Sequence, residues 1–432
     1  MKKRCSYILS IIICLVHSSC KKAFNAHLTT TAANFLAVDG PIISGDSTFI
    51  TLSRTTSLSD TTQKKVELKA TVSVEDDQAK LYPLQELGKG QYALGVTNFS
   101  SVRKYRLDIK TSDGKIYQSD FVPMKVTPPV DSLYFKQNSD ATVSFYTNTH
   151  DPTGNTRYYR WDYKETWSYV ALATAFFEFK NSQIVPLLTY SADDHSVCFR
   201  TDLSNQIFVG SSANLAQDVI LNQELGGLAS GTEKTGHVYV MQLRQYALTP
   251  DGFNYYQNLK LNTEQLGSIF DAQPTSLNGN IHCISSPSDI VIGFVSASTV
   301  TVKQMNLHQN DLPIKTPDAY GTLQTPWMTG YNSYYFAPPD LGMCPTLSLS
   351  TQTATGYAGF PAAALATFSN PNILMGGAVA FIQADAPGPN SIEPFRSQGI
   401  GYTYYYLPKA CIDCRLKGGS STRPAYFPYP GY

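Results

Sequence analysis

From Phe35 onward the chain is a succession of short runs rich in β-branched and aromatic residues, each ended by Gly, Asp or Ser. That pattern restricts the fold more than any other feature. The runs FLAVDGPI, STFITLSRT, KKVELKATVSVED, GQYALGV and YRLDIKTSDGKIYQSDFV have the length and composition of strands. Between KYRLDIKT and KIYQSDFV, Ser112-Asp113-Gly114 supplies the Asp-Gly that a tight hairpin prefers. Short strands at this spacing predict an antiparallel β-sandwich over residues 34–126. Pro123 and Thr127-Pro128-Pro129 close it as a stiff linker, so this segment is expected to fold by itself.

Residues 130–432 read as a larger β-rich domain. SLYFKQ, ATVSFYTN, TRYYRWDYKETW, VCFRTD and HVYVMQLRQYAL continue the strand pattern, and DIVIGFVSASTVTVKQ at 289–304 reads as one more strand. One helix interrupts them. Thr249 is suited to the N-cap and Pro250 to the first helical position, and apolar residues then recur at helical spacing as far as Gly267, which weakens or ends the helix. Residues 308–395, rich in Pro, Gly and Ser, form a loop-rich insertion. With 28 Tyr, 21 Phe and only 15% charged residues, the composition agrees with a mainly-β fold.

The first residues are of a different kind. Lys2, Lys3 and Arg4 precede an apolar run, Ser6 to Val16, that is too short for a membrane-spanning helix of about 20 residues. His17-Ser18-Ser19-Cys20 follows, and small residues before a cysteine mark a lipoprotein signal; His17 stands where an aliphatic residue is usual. Residues 1–19 are therefore expected to be removed, leaving Cys20 as a lipidated N-terminus on a polar tether over 20–33. Two or three acyl chains there would hold the protein stably on a membrane. No later segment has the apolar length of a transmembrane helix. Loss of Lys2, Lys3 and Arg4 leaves three fewer basic residues than the 33 acidic ones, a net charge near −3. Without a basic stripe, nucleic acid is not an expected partner.

Five cysteines remain beyond Cys20, namely Cys198, Cys283, Cys344, Cys411 and Cys414, so at least one thiol is unpaired in a monomer. Cys411-Ile412-Asp413-Cys414 has the CxxC spacing of a local disulfide, half a zinc site or a redox dithiol. A tetrahedral zinc needs two more ligands, and no second CxxC or HxxxH accompanies it. A redox pair would open a helix, whereas Arg415-Leu416-Lys417-Gly418-Gly419 reads as loop. A structural bridge is favoured, between Cys411 and Cys414 or from one of them to Cys344 or Cys283. His282 and Cys283 alternate sides of a strand and would not face one ion. Asp193-Asp194-His195 reads as a turn. No GxSxG, HExxH, phosphate-loop or calcium-loop pattern occurs, and neither metal nor cofactor is expected. Tyr159, Trp161 and Tyr163, with Trp167 beyond them, share one strand face; such a row packs a core or presents a ligand or partner surface.

Three long strings occur in one order: CFRTDLSNQIFVGSS, then MQLRQYALTPDGFNYYQNLKLNTEQLGSIFDAQPTSLNGNI continuing to VIGFVSAS, then ACIDCRLKGGSSTRP. Together with the lipobox they resemble the domain-of-unknown-function 4249 family of lipoproteins, from Cys20 to about Pro424. The segment around 310–390 and the ending AYFPYPGY depart from the family pattern. The resemblance implies an outer-membrane lipoprotein of Gram-negative bacteria, often encoded beside a TonB-dependent receptor, with a transthyretin- or immunoglobulin-like N-terminal sandwich and no established catalytic residues. The expectation is a noncatalytic accessory or binding partner of such a receptor in nutrient uptake. An envelope assembly component and a secreted hydrolase are the other classes.

Overall fold

In the computed structural model the fold is mainly β, as expected. It describes residues 34–56, 65–170, 177–180, 183–186, 197–264, 277, 279–314, 378–379 and 414–428. The signal, Cys20, the tether, Cys344, Cys411, Asp193-Asp194-His195, Gly267 and nearly all of the 308–395 insertion lie outside them.

The first sandwich has two sheets. One runs in the order β22 (Val291–Ile292), β1 (Leu36–Asp39), β3 (Thr48–Arg54), β8 (Gln91–Leu94) and β7 (Gln85–Gly88), with β4 (Lys65–Val66) on β3. The facing sheet runs β21 (Ile281–Cys283), β10 (Ile116–Ser119), β9 (Lys104–Lys110), β5 (Thr71–Asp76) and β6 (Leu81–Pro83), with β11 (Val122–Pro123) on β9. Strict alternation builds the core between them: in β9, Tyr105, Leu107 and Ile109 point inward while Lys104, Arg106 and Asp108 point away. The expected hairpin is present, pairing Ile116 with Lys110 across Ser112-Asp113-Gly114.

Two of these strands come from far along the chain. Strands β21 and β22 bring Ile281, Cys283 and Val291 into the first core, with Val295 and Ala297 beside them. Residues 34–126 thus lack five buried side chains of their own core. The boundary near Pro128 does not separate two self-contained lengths of chain.

The second unit also has two layers. Strands β12 (Val130–Gln137), β13 (Val143–His150) and β19 (Val219–Leu228) form one sheet. The other runs β17 (Val197–Leu203), β14 (Tyr158–Val170), β20 (Val238–Ala247), β23 (Ala297–His308) and β2 (Ile42–Ser44), with β18 (Phe208–Ser211) on the first half of β14. Phe145 and Leu225 from the first layer meet Tyr159, Trp161, Tyr239 and Leu243 from the second, and Phe145 stacks on Tyr239 with ring centroids 5.4 Å apart. A small separate sheet joins β15 (Phe177–Lys180) to β16 (Gln183–Pro186) and β24 (Ala378–Val379).

The two units are laced together. Strand β2 leaves the first sandwich to pair in parallel with β23, Ile42 opposite Ala297. The stretch 289–304, read as one strand, divides between the units: β22 joins the first sandwich and β23 the second. Gly293 sits at the break with φ +145°, and a Cβ there would lie 2.3 Å from the Val38 carbonyl oxygen. Only glycine lets the chain cross β1 that closely. The Thr127-Pro128-Pro129 segment is clamped as well as stiff: Thr127 Oγ1 accepts the Ala247 N–H, and the Pro128 carbonyl accepts from Gln245 Nε2 at 2.9 Å.

Helix α1 (Pro250–Glu264) begins where the caps predict, with Thr249 Oγ1 accepting the Gly252 N–H at 3.2 Å. It packs Tyr255 and Tyr256 toward Phe294 and Leu248. Among the described residues no helix is long and apolar enough to cross a membrane.

Candidate functional site: a cleft between the sandwiches

The sequence placed Tyr159, Trp161, Tyr163 and Trp167 on one face of a strand, and so they are. That face points into the core. Tyr159, Trp161 and Trp167 are buried and Tyr163 is partly so, stacked on Phe208 with centroids 5.8 Å apart. Trp161 Nε1 donates to Gln245 Oε1 at 2.8 Å, and Trp167 Nε1 to Glu233 Oε1 at 3.0 Å. The row is core packing and not a ligand or partner surface, because β12, β13 and β19 cover it.

The opposite face of the same sheet carries charged residues that no sequence motif marks out. Arg160, Asp162 and Lys164 alternate with the aromatic row, and register sets Arg160 opposite Tyr246, Asp162 opposite Arg244 and Lys164 opposite Gln242. In β23, Val302 lies beside Arg244. Together these residues floor a cleft of about 600 Å³ between the two units. One wall is the edge of the first sandwich, with Asp39, Asp46 and Phe49; the other is the 203–207 connection with α1.

Local structure fixes both walls. Gly40, with φ +132°, lets the turn after β1 lie against β3, where a Cβ would come within 2.1 Å of the Phe49 carbonyl oxygen. The 203–207 connection crosses β14 at Tyr163, whose N–H donates to Ser204 Oγ at 3.0 Å and whose carbonyl accepts the Ser204 N–H at 2.8 Å. Glu264, at the end of α1, accepts the Ile207 N–H at 2.6 Å.

The charged groups on the floor are held in place. The Arg160 guanidinium carbon lies 4.8 Å from the ring centroids of both Tyr246 and Tyr256, and its Nη2 bonds Asp162 Oδ2 at 2.8 Å. Burial alone would lower its pKa, yet the Asp162 carboxylate raises it, so the cation persists. Burial, then Asp162, pushes the Tyr246 phenol above its ordinary range, keeping it a neutral donor to Asp162 Oδ1 at 3.3 Å. Lys164 Nζ lies 4.5 Å from the centroid of Tyr426. Arg244 is held least. Among the described residues its guanidinium makes no hydrogen bond; it faces Asp46 Oδ2 at 3.9 Å and the Tyr246 centroid at 5.5 Å.

A family model described as a domain of unknown function, DUF4249, matches residues 21–304. The chain belongs to this family. The match covers the strands of the first sandwich and those of the second as far as Gln304, within β23. No curated protein matches the DUF4249 chain. Among solved structures, the chicken CNTN1 FN1–FN3 domains are similar at 12% identity over 50% of this chain and 62% of that one, with a TM-score of 0.16. The Yersinia pseudotuberculosis adhesin InvE is similar at 13% identity over 50% of this chain and 57% of that one, with a TM-score of 0.13. The DUF4249 chain spans less than two thirds of either.

The disulfide differs from every pairing the sequence suggested. Cys414 bonds Cys198, 216 residues earlier, while Cys283 is a buried free thiol. His282 is exposed and Cys283 buried, on opposite sides of β21 as alternation requires. The bridge holds the C-terminal segment at the β17 edge of the sheet, with Cys198, Cys414 and Tyr169 on the core side and Tyr426 on the other. There Ser420 and Phe199 exchange backbone hydrogen bonds, Tyr169 Oη donates to the Cys414 carbonyl at 2.8 Å, and Tyr426 reaches Thr166 at 2.8 Å. Among the described residues no cluster of three His, Cys, Asp or Glu side chains is placed to hold a metal.

Proposed function

We propose that the protein is a noncatalytic binding lipoprotein of the outer membrane, anchored through a lipid on Cys20 and working beside a TonB-dependent receptor in nutrient uptake. The observation that carries this reading is the cleft between the sandwiches. Its floor presents charges already fixed by tyrosine rings and counter-ions, which lowers the ordering cost of gripping a ligand. The lipobox and the tether over 20–33 support anchoring. A lipid anchor in turn raises the effective concentration of any partner in the same membrane, so weak contacts suffice.

Affinity capture of the mature protein from membranes in mild detergent tests the reading. It is expected to recover an outer-membrane β-barrel with the wild-type chain. With Cys20→Ala, fatty-acid labelling and barrel recovery should both be lost. Recovery of the acylated chain alone, together with turnover of a glycan or peptide by it, would reverse the reading in favour of a hydrolase. Recovery with envelope assembly factors in place of a barrel would favour a structural role.

A further inference from the structure

Arg244 is the least satisfied cation of the cleft. An arginine offers five donors in a planar fork that matches a carboxylate. Here, among the described residues, none of those donors is used in a hydrogen bond. Its ionic contact, Asp46, stands 3.9 Å away on the opposite wall, in the turn between β2 and β3, where Asp46 Oδ1 is already engaged by the Ser47 N–H at 2.7 Å. Both side chains are partly open to solvent, so the contact is weak and exchangeable. Asp46 thus stands as a carboxylate placeholder in front of an arginine that can take a better-placed one.

The same cleft exposes apolar side chains. Phe49 is 42% exposed, Leu203 75% and Val302 53%, and all three line it. Beside them stand Asn205, Gln206 and Gln242, whose amides both donate and accept. Aliphatic side chains next to amides suit a polypeptide, with its alternation of apolar side chains and peptide groups. A sugar would call for a row of exposed rings, and of the aromatic residues that line the cleft Trp161, Tyr246 and Tyr256 are buried and Tyr163 is half-buried, which leaves Phe49 as the exposed ring. A volume of about 600 Å³ falls within the roughly 300–1,000 Å³ of ligand pockets.

We infer that the cleft holds a short stretch of peptide in which a carboxylate binds Arg244 in place of Asp46 and apolar side chains lie against Phe49, Leu203 and Val302. The carboxylate is that of a chain terminus or of an acidic side chain. This deepens the reading of the protein as a binding lipoprotein and depends on it, but not on which membrane protein stands beside it.

Equilibrium dialysis of the full mature protein against random hexapeptide pools tests the inference. One pool has free C-termini and no Asp or Glu; a second has amidated C-termini and contains Asp and Glu; a third has amidated C-termini and neither. Retention of apolar members of the first pool identifies a terminal carboxylate as the ligand, and retention from the second an acidic side chain. The third should not be retained. Arg244→Ala is expected to weaken retention about 10- to 100-fold, as for loss of a charged hydrogen-bonding partner, with Arg244→Lys between. Asp46→Asn should strengthen it, by up to about fivefold, because the placeholder is gone. Equal retention of all three pools, retention of none, or indifference to Arg244→Ala together with Asp46→Asn would overturn the inference. If the pools fail while a barrel still co-purifies, this inference falls and the proposed function stands. If retained peptides return cleaved, the noncatalytic reading falls instead.

Discussion

Trp161→Ala is expected to lower the stability of the second unit by about 3–5 kcal/mol, the cost of emptying a large aromatic site in a core. Trp161 is fully buried, stacked on Tyr159 with centroids 5.8 Å apart, and its ring covers Gly210 of the neighbouring strand. Its loss also leaves Gln245 without a donor. Gln245 is itself fully buried, and its Nε2 is held by the Pro128 carbonyl and by Thr149 Oγ1, each at 2.9 Å. One substitution therefore opens a cavity and breaks a network that ties β14, β20, β13 and the 127–129 segment together. Chemical denaturation followed by tryptophan and tyrosine fluorescence measures the effect. A shift equivalent to less than about 1 kcal/mol would mean that the ring does not occupy a packed core.

Breaking the Cys198–Cys414 bridge by the double change Cys198→Ser and Cys414→Ser should cost about 2–5 kcal/mol. The bridge closes a loop of 216 residues, and long loops lose the most chain entropy in the unfolded state when they are closed. The C-terminal segment should also loosen from β17, exposing the cluster of Phe199, Val238, Val240 and Phe427. Non-reducing peptide mapping of envelope-derived protein is expected to return the Cys198–Cys414 pair with Cys283 as a free thiol. A Cys411–Cys414 pair in that map, or unchanged stability of the double variant, would contradict this arrangement.

Alternation makes much of the architecture legible in the sequence. Strand β9 could be read to the residue, because KYRLDIK separates Tyr105, Leu107 and Ile109 from the charges between them. The start of α1 was equally plain from Thr249 and Pro250. What local pattern does not carry is the partner of a strand. Nothing in VIGFVSASTVTV announces that its first residues pair with β1 and its later ones with β20 and β2, since both parallel pairings join segments some 250 residues apart in sequence. Gly293 was the one local sign, a glycine inside an otherwise β-branched run.

The cleft was half legible for a related reason. In YYRWDYK the aromatic and charged residues fall on different faces, and the sequence separates them without saying what meets the charged one. Arg160, Asp162 and Lys164 are of the residue types that usually face solvent. They line a cleft because the edge of the first sandwich, with Asp46 and Phe49, is brought over them by the β2–β23 pairing. Cys198 was missed as the partner of Cys414 on the same grounds: the pairing follows from where β17 lies in the sheet, not from spacing.

The proposed function requires that a ligand bind between the two sandwiches. Site-specific photocrosslinking in intact cells tests this most directly, with a benzophenone amino acid placed at Leu203 in the cleft or at Val102, which is 91% exposed and lies on the first sandwich away from it. The expected result is an adduct from Leu203 that maps by mass spectrometry to one defined peptide stretch and is diminished by Arg244→Ala, with no such adduct from Val102. Adducts of equal yield from both positions, or none from Leu203 in cells where the acylated protein is abundant, would contradict it.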